Sequence, residues 1–165
     1  MMIEDPLPGY NFIVVLDPGD FKIPTSTADL VPLIALGQFQ EVKGLGAELE
    51  VMPYAEGGLN DFVHQLAVRH TWSRITLKRG VVRDPGLYFW YTAGLTQTLG
   101  ARRNGAITML TPGGTPAIIW NFFDAIATKW VGPDLSAMQN AVAVETIEIA
   151  HQGLIQLPLT LPGVA

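Results

Sequence analysis

The sequence predicts a mainly β domain carrying one α-helix, and three observations predict it. Short runs rich in β-branched and aromatic residues recur along the chain, several alternating between apolar and polar side chains. Only one segment joins a helix-capping residue to apolar side chains at helical spacing. The 12 prolines and 17 glycines break what remains into pieces too short for other long elements. The 165 residues suffice for one domain with a real core, and no linker or repeat divides residues 1–165.

The elements follow in order. Asp5-Pro6-Leu7-Pro8-Gly9 is rich in turn formers and leads into a strand over residues 10–16, apolar on both faces and so buried on both. Asp17-Pro18-Gly19-Asp20 ends it. Residues 18–37 read as an irregular insertion, since Pro24 and Pro32 prevent a long regular element. Residues 39–43 and 47–52 read as a strand pair, or as one strand bent at Gly44-Leu45-Gly46. Residues 53–72 show weak periodicity and read as a long loop, a length that is usually functional or ordered by a partner. Residues 74–79 alternate again.

Asp84 as N-cap and Pro85 at the first helical position open a helix over residues 84–99. Leu87, Trp90, Tyr91, Gly94, Leu95 and Thr98 fall on its apolar stripe, and Gly100 stops it. Arg102 and Arg103 follow, where a helix C-terminus favours cations. Strands are expected over 105–110, 116–122, 126–131 and 141–151. A turn at Pro112-Gly113-Gly114 and a short helical turn over 133–139 lie among them. The apolar tail, 155–165, holds Pro158 and Pro162 and is extended at best.

Composition narrows the function. Apolar residues are 48% and charged residues 15%, with mean hydropathy +0.28. Ordinary domains carry about 25% charge. Too few charges to cover a free monomer imply surface buried against copies or partners. A net charge of −5 argues against a protein gripping phosphate backbones. The absence of cysteine excludes disulfides, thiolate metal sites and cysteine nucleophiles, and fits assembly in the cytoplasm. No run approaches the roughly 20 apolar residues of a membrane-spanning helix. The N-terminal residues 1–6 lack the pattern of a secretory signal, so export is expected inside a particle.

No catalytic, cofactor or metal site is expected. His64 and His70 stand six apart without a nearby carboxylate cluster, and His151 reads as a hydrogen-bonded structural histidine. Ser26, Ser73 and Ser136 lack a nucleophile-elbow context. Glu145 and Glu148 point to opposite faces of their strand and cannot form a facing acid–base pair. The glycine clusters match no phosphate loop. Arg79, Arg83, Arg102 and Arg103 fit inter-subunit salt bridges better than nucleic-acid contacts, because no aromatic side chains interleave them.

Seven motifs in order carry a family resemblance. They include Asp5-Pro6 with Tyr10-Asn11-Phe12; Phe39-Gln40-Glu41-Val42-Lys43-Gly44-Leu45; and Glu48, Glu50, Tyr54, Glu56, Gly57 and Gly58. Ile75-Thr76-Leu77-Lys78-Arg79-Gly80 and Arg102-Arg103-Asn104 with Trp120 and Ala125 follow. The closing segment runs from Lys129-Trp130-Val131-Gly132-Pro133 to Ala150-His151-Gln152-Gly153-Leu154. Together these resemble the tube proteins of contractile phage tails and of phage-derived injection systems. The chain departs from the family pattern at Gln65-Leu66-Ala67-Val68, where an L-P-G is usual, and in the 18–37 insertion.

The resemblance implies an antiparallel β sandwich or barrel with one helix, a structural subunit and no enzyme. Six copies would form a hexameric ring with a continuous inner β-barrel, and rings would stack around a lumen that conducts cargo, an effector protein or DNA. Sheath protein and baseplate hub or spike proteins are the implied partners. The particle would assemble in the bacterial cytoplasm and act as a phage tail or an extracellular or membrane- or thylakoid-anchored injection system. A tube-initiator or adaptor ring at the spike is the alternative, and a soluble β-barrel binding protein a more distant one. Inter-subunit contacts are expected at Glu56, Gly57, Gly58, His64, Arg69, Arg79, Arg102, Arg103, Lys129 and Trp130. The acidic total suggests a neutral or acidic lumen that lets a polyanion slide.

Overall fold

A computed structural model describes residues 7, 9–16, 39–58, 61–96, 101–138 and 140–158. The 18–37 insertion and the tail beyond residue 158 lie outside them. Among the described residues nine strands and one helix run in the order β1 (Phe12–Leu16), β2 (Phe39–Lys43), β3 (Ala47–Tyr54), β4 (His64–Trp72), β5 (Ile75–Gly80), α1 (Gly86–Thr96), β6 (Arg103–Leu110), β7 (Pro116–Val131), β8 (Val144–Ala150) and β9 (Gly153–Pro158). Every pairing is antiparallel. No helix among the described residues is long and apolar enough to cross a membrane.

β7 organises the molecule. Its first half pairs with β6 and β9, its second half with β8, so one strand belongs to both layers. The sequence suggested two strands here, broken near Asp124. Instead the strand bends through Asp124, whose φ is 50°, and Asn104 Oδ1 accepts a 2.9 Å bond from the Asp124 N–H at the bend. Around β7 the order is β1-β6-β7-β8-β5-β2. The core lies between the two halves: Val14, Leu16, Ile107 and Phe122 from one, Phe39, Ile75, Leu77, Ile147 and Ile149 from the other. Leu87 and Trp90 of α1 join this core with Ala125 and Ala127.

The helix starts as its sequence requires. Asp84 Oδ1 accepts from the Gly86 N–H at 3.1 Å, and Pro85 supplies the carbonyl for the Phe89 N–H. Leu87 and Trp90 are buried, Tyr91 and Gly94 half-buried. Leu95, expected on the same stripe, is exposed. At about 100° per residue it stands roughly 100° from the middle of the Leu87–Trp90–Gly94 seam, on the flank. Thr98 and Gly100 lie outside the described residues.

Two further expectations are corrected and one is made more specific. Residues 53–72 are not a loop: His64–Trp72 is a strand paired with β3. Its periodicity is weak because the hairpin has no dry face to impose one. Residues 133–139 form no helical turn, only a turn at 137–138, with residue 139 outside the described set. Residues 153–158 form β9 on β7, so the tail begins as a strand.

Candidate assembly site

The β3–β4 hairpin is the most exposed element. Every residue from Ala47 to Tyr54 is exposed, as is every residue of β4 except His64 and Trp72. Its apolar side chains, Leu49, Val51, Met52, Tyr54, Leu66 and Val68, stand in solvent on both faces. Glu56, Gly57, Gly58 and His64 meet at its tip. His64 Nε2 lies 3.2 Å from Glu56 Oε2, and Phe62 packs edge-on to the His64 ring at 5.0 Å. Gly58 has φ +89°, a left-handed conformation that glycine adopts without strain. Arg69, exposed on β4, stands opposite Glu50.

The hairpin leaves the body at a bend built from Gly44, Gly46 and Ser73. Gly44 has φ +87°, and a Cβ there would lie 1.9 Å from the Arg74 carbonyl oxygen. The Ser73 N–H donates to the Gly46 carbonyl at 3.0 Å. His151 braces this base: its Nδ1 and Nε2 contact the carbonyls of Gly153 and Ser73 at 3.0 and 3.1 Å, and Trp72 packs on its ring.

Arg79 and Trp130 come together inside the chain. Arg79 is 0% exposed; its Nε donates to Glu145 Oε1 at 2.7 Å and its Nη2 to the Asp84 carbonyl at 3.1 Å. Trp130 Nε1 donates to Glu145 Oε2 at 3.2 Å, and its ring meets Tyr88 edge-on at 5.0 Å. These two motif residues therefore join β5, β7, β8 and the start of α1, within one subunit. Sequence reasoning placed Glu145 on a strand face but missed that it unites them. Burial of Arg79 was signalled by its alternation with Ile75 and Leu77.

Lys129 lies on the opposite, solvent face of the same sheet. That face carries Glu41 and Lys43 of β2, Thr76 and Lys78 of β5, Thr146 and Glu148 of β8, and Lys129 and Val131 of β7. Glu41 pairs with Lys43, and Arg74 Nη1 donates to Glu148 Oε1 at 2.7 Å. The Lys43 hydrogen bond holds the Glu41 carboxyl below its usual range, and the Arg74 hydrogen bond does the same for Glu148. Among the described residues both edges of this sheet are free: β2 pairs only with β5, and residues 126–131 of β7 only with β8. Arg102 and Arg103 stand half-buried at the start of β6, and among the described residues the buried Arg102 Nε has no hydrogen-bond partner; the helix end expected near them falls on residues 97–100, outside the described set. A second apolar surface surrounds α1, where Tyr88, Phe89, Leu95, Val81 and Val82 are exposed.

The family model for the T4-like virus tail tube protein gp19 matches residues 9–155. The chain belongs to that family. It is a structural tube protein with a mainly β, antiparallel, single-helix fold. A chain in the cryo-EM structure of the anti-feeding prophage baseplate, 6-fold symmetrised, is similar to this tube protein. The two are 25% identical over 96% of this chain and 100% of that one, with a TM-score of 0.74. A chain of the PVC sheath–tube complex of an extracellular contractile injection system, in its extended state, is 26% identical. That match covers 95% of each chain, also with a TM-score of 0.74. Hcp1 from Flavobacterium johnsoniae shares the fold at 12% identity, covering 89% of this chain and 94% of that one, with a TM-score of 0.56. No curated protein matches the tube protein's sequence.

Proposed function

We propose that this tail tube protein forms hexameric rings that stack into the inner tube of a contractile injection particle. The observation that carries the reading is that, among the described residues, both edges of the β7–β8–β5–β2 sheet are free. Unpaired edges template pairing with another chain, and closing a ring removes them. The polar outer face of that sheet is the surface suited to a wet lumen. The other half's outer face is largely apolar: it buries Val15, Ala106 and Ile119.

The hairpin supplies the contact between neighbours. Its solvent-exposed Leu49, Val51, Met52 and Tyr54 fit the apolar surface around α1 of another copy. Glu56, Gly57, Gly58, His64 and Arg69 lie on this arm, Arg102 and Arg103 are the contacts proposed outside it, and Lys129 faces the lumen in this reading rather than a neighbouring copy. Arg79 and Trp130 act from within, by setting the shape of the subunit. Sheath protein outside, baseplate proteins at one end and a cargo in the lumen complete the particle, in keeping with the sheath–tube and baseplate complexes that contain the similar chains. Assembly in a bacterial cytoplasm, before release or anchoring, belongs to this reading.

Mass measurement across a concentration series, followed by electron microscopy, tests it. Hexamers and stacked rings are expected; a chain that stays monomeric at high concentration, even with sheath and spike proteins present, overturns it. The length of residues 18–37 favours a second reading, a tube-initiator ring, for which assembly stops at one or two rings.

A further inference from the structure

The solvent face of the β7–β8–β5–β2 sheet has a charge pattern that the composition conceals. In a chain of net charge −5, this face carries Lys43, Arg74, Lys78 and Lys129 against Glu41 and Glu148. The charges form two clusters of one design. Glu41 is ion-paired with Lys43 and stands beside Lys78 in the β2–β5 register; both lysines help hold its carboxyl charged. Glu148 is ion-paired with Arg74 and stands beside Lys129 in the β7–β8 register, again with both cations acting on it. Each carboxylate is thus shared by two cations, one of which forms the ion pair. Each cluster, two cations and one carboxylate, therefore carries a net charge of +1, and the charge left over is that of Lys78 or Lys129. Strand spacing of about 4.8 Å and a rise of about 3.4 Å per residue put their Cα atoms roughly 12 Å apart.

We propose that this face holds the cargo, and that the cargo it recognises is an acidic polypeptide, through Lys78 and Lys129. The inference rests on the tube reading, in which the face lines the lumen. It reverses the neutral or acidic wall that the net charge suggests. Stacking would repeat both clusters around and along the tube, and a concave wall concentrates the field of such repeats. A nucleic acid fits worse. Glu41 and Glu148 would oppose its phosphates at every repeat, and the face offers no aromatic side chain for bases to stack on. A polypeptide with excess Asp and Glu satisfies both parts of each cluster: its carboxylates meet the lysines, and its backbone N–H groups or occasional lysines meet the glutamates. Four cations against two anions per subunit favour weak, salt-screened retention, which lets a cargo be loaded and still leave.

The test uses the assembled protein and three labelled probes: poly-L-glutamate, a neutral Gly-Ser polypeptide of equal length, and single-stranded DNA of equal charge. Poly-L-glutamate is expected to be retained at low ionic strength and released as salt rises. Lys78→Gln/Lys129→Gln should weaken retention at least tenfold while rings, seen by electron microscopy, persist. Glu41→Gln/Glu148→Gln should strengthen it. Equal retention of the neutral probe, an unchanged affinity in the lysine variant, or tighter binding of DNA than of poly-L-glutamate each overturns the proposal and leaves the tube reading intact. If no rings form but the single chain binds poly-L-glutamate through the same lysines, the tube reading fails and the assignment of the acidic ligand stands.

Discussion

The buried Arg79–Glu145 pair is where single atoms matter most. A guanidinium sealed from water is tolerated where polar groups replace that water, and Glu145, the Asp84 carbonyl and the Phe39 ring are among those around it. Glu145→Gln replaces the carboxylate on Arg79 and Trp130 by a neutral amide and is expected to destabilise the fold, measured by urea denaturation; unchanged stability would show that the charge of Glu145 is not needed there. Thr108 makes the opposite case. Among the described residues its buried hydroxyl has no partner, so Thr108→Val should be neutral or stabilise by up to about 1 kcal/mol, read as an unchanged or raised melting temperature. The surface pairs set a pH limit. Glu41 and Glu148 have folded-state pKa values lowered by Lys43 and Arg74. Their small contribution is therefore present above the ordinary glutamate range and lost as pH falls through the depressed values. Much of this scale was legible: the alternation of Arg79 with Ile75 and Leu77 places it on the dry face. What the sequence cannot display is that Glu145, far along the chain, stands beside it, because cross-strand partners follow from register and not from spacing.

Elements divide by whether they face a core. Strands β5 and β8 and the helix were readable because one side of each is dry, which writes period 2 or 3.6 into the sequence. The β3–β4 hairpin was half missed because both its faces are wet in the single chain, so β4 shows no period. In the proposed tube its apolar side chains are covered by another copy. Replacing residues 50–69 by an Asn-Gly turn, which closes Leu49 onto His70 in the existing register, should leave a folded subunit that cannot polymerise. Normal tubes from that variant, seen by electron microscopy, would show the arm to be dispensable. The base of the arm is less tolerant: Gly44→Ala puts a methyl group into the Arg74 carbonyl at a positive φ and should unfold or reorient the hairpin. Along α1, Trp90→Ala should cost roughly 3–5 kcal/mol, whereas Leu95→Ala should change monomer stability by less than about 0.5 kcal/mol while weakening assembly. Denaturation and sedimentation of the two variants separate core from contact.

At the scale of the whole molecule, the sparse charge and the sheet edges left free among the described residues both offer surface to the partners that the tube reading proposes. The forces proposed to join copies are backbone pairing at the β2 and β7 edges and burial of the apolar arm. Those proposed to hold cargo are the charges of Lys78 and Lys129. Salt separates them. At about 1 M ionic strength the screening length falls to about 3 Å, so attraction between exposed charges nearly vanishes, whereas apolar burial is maintained and is strengthened by sulfate. Rings and tubes should therefore survive about 1 M sodium sulfate, with sedimentation unchanged or shifted to larger species, while bound poly-L-glutamate is released. Arg69, Arg102, Arg103 and Lys129 give the rival outcome. If ion pairs at these residues join the copies, high salt dissociates the rings, and dissociation would move the assembly energy from the arm and the sheet edges to the charged surface.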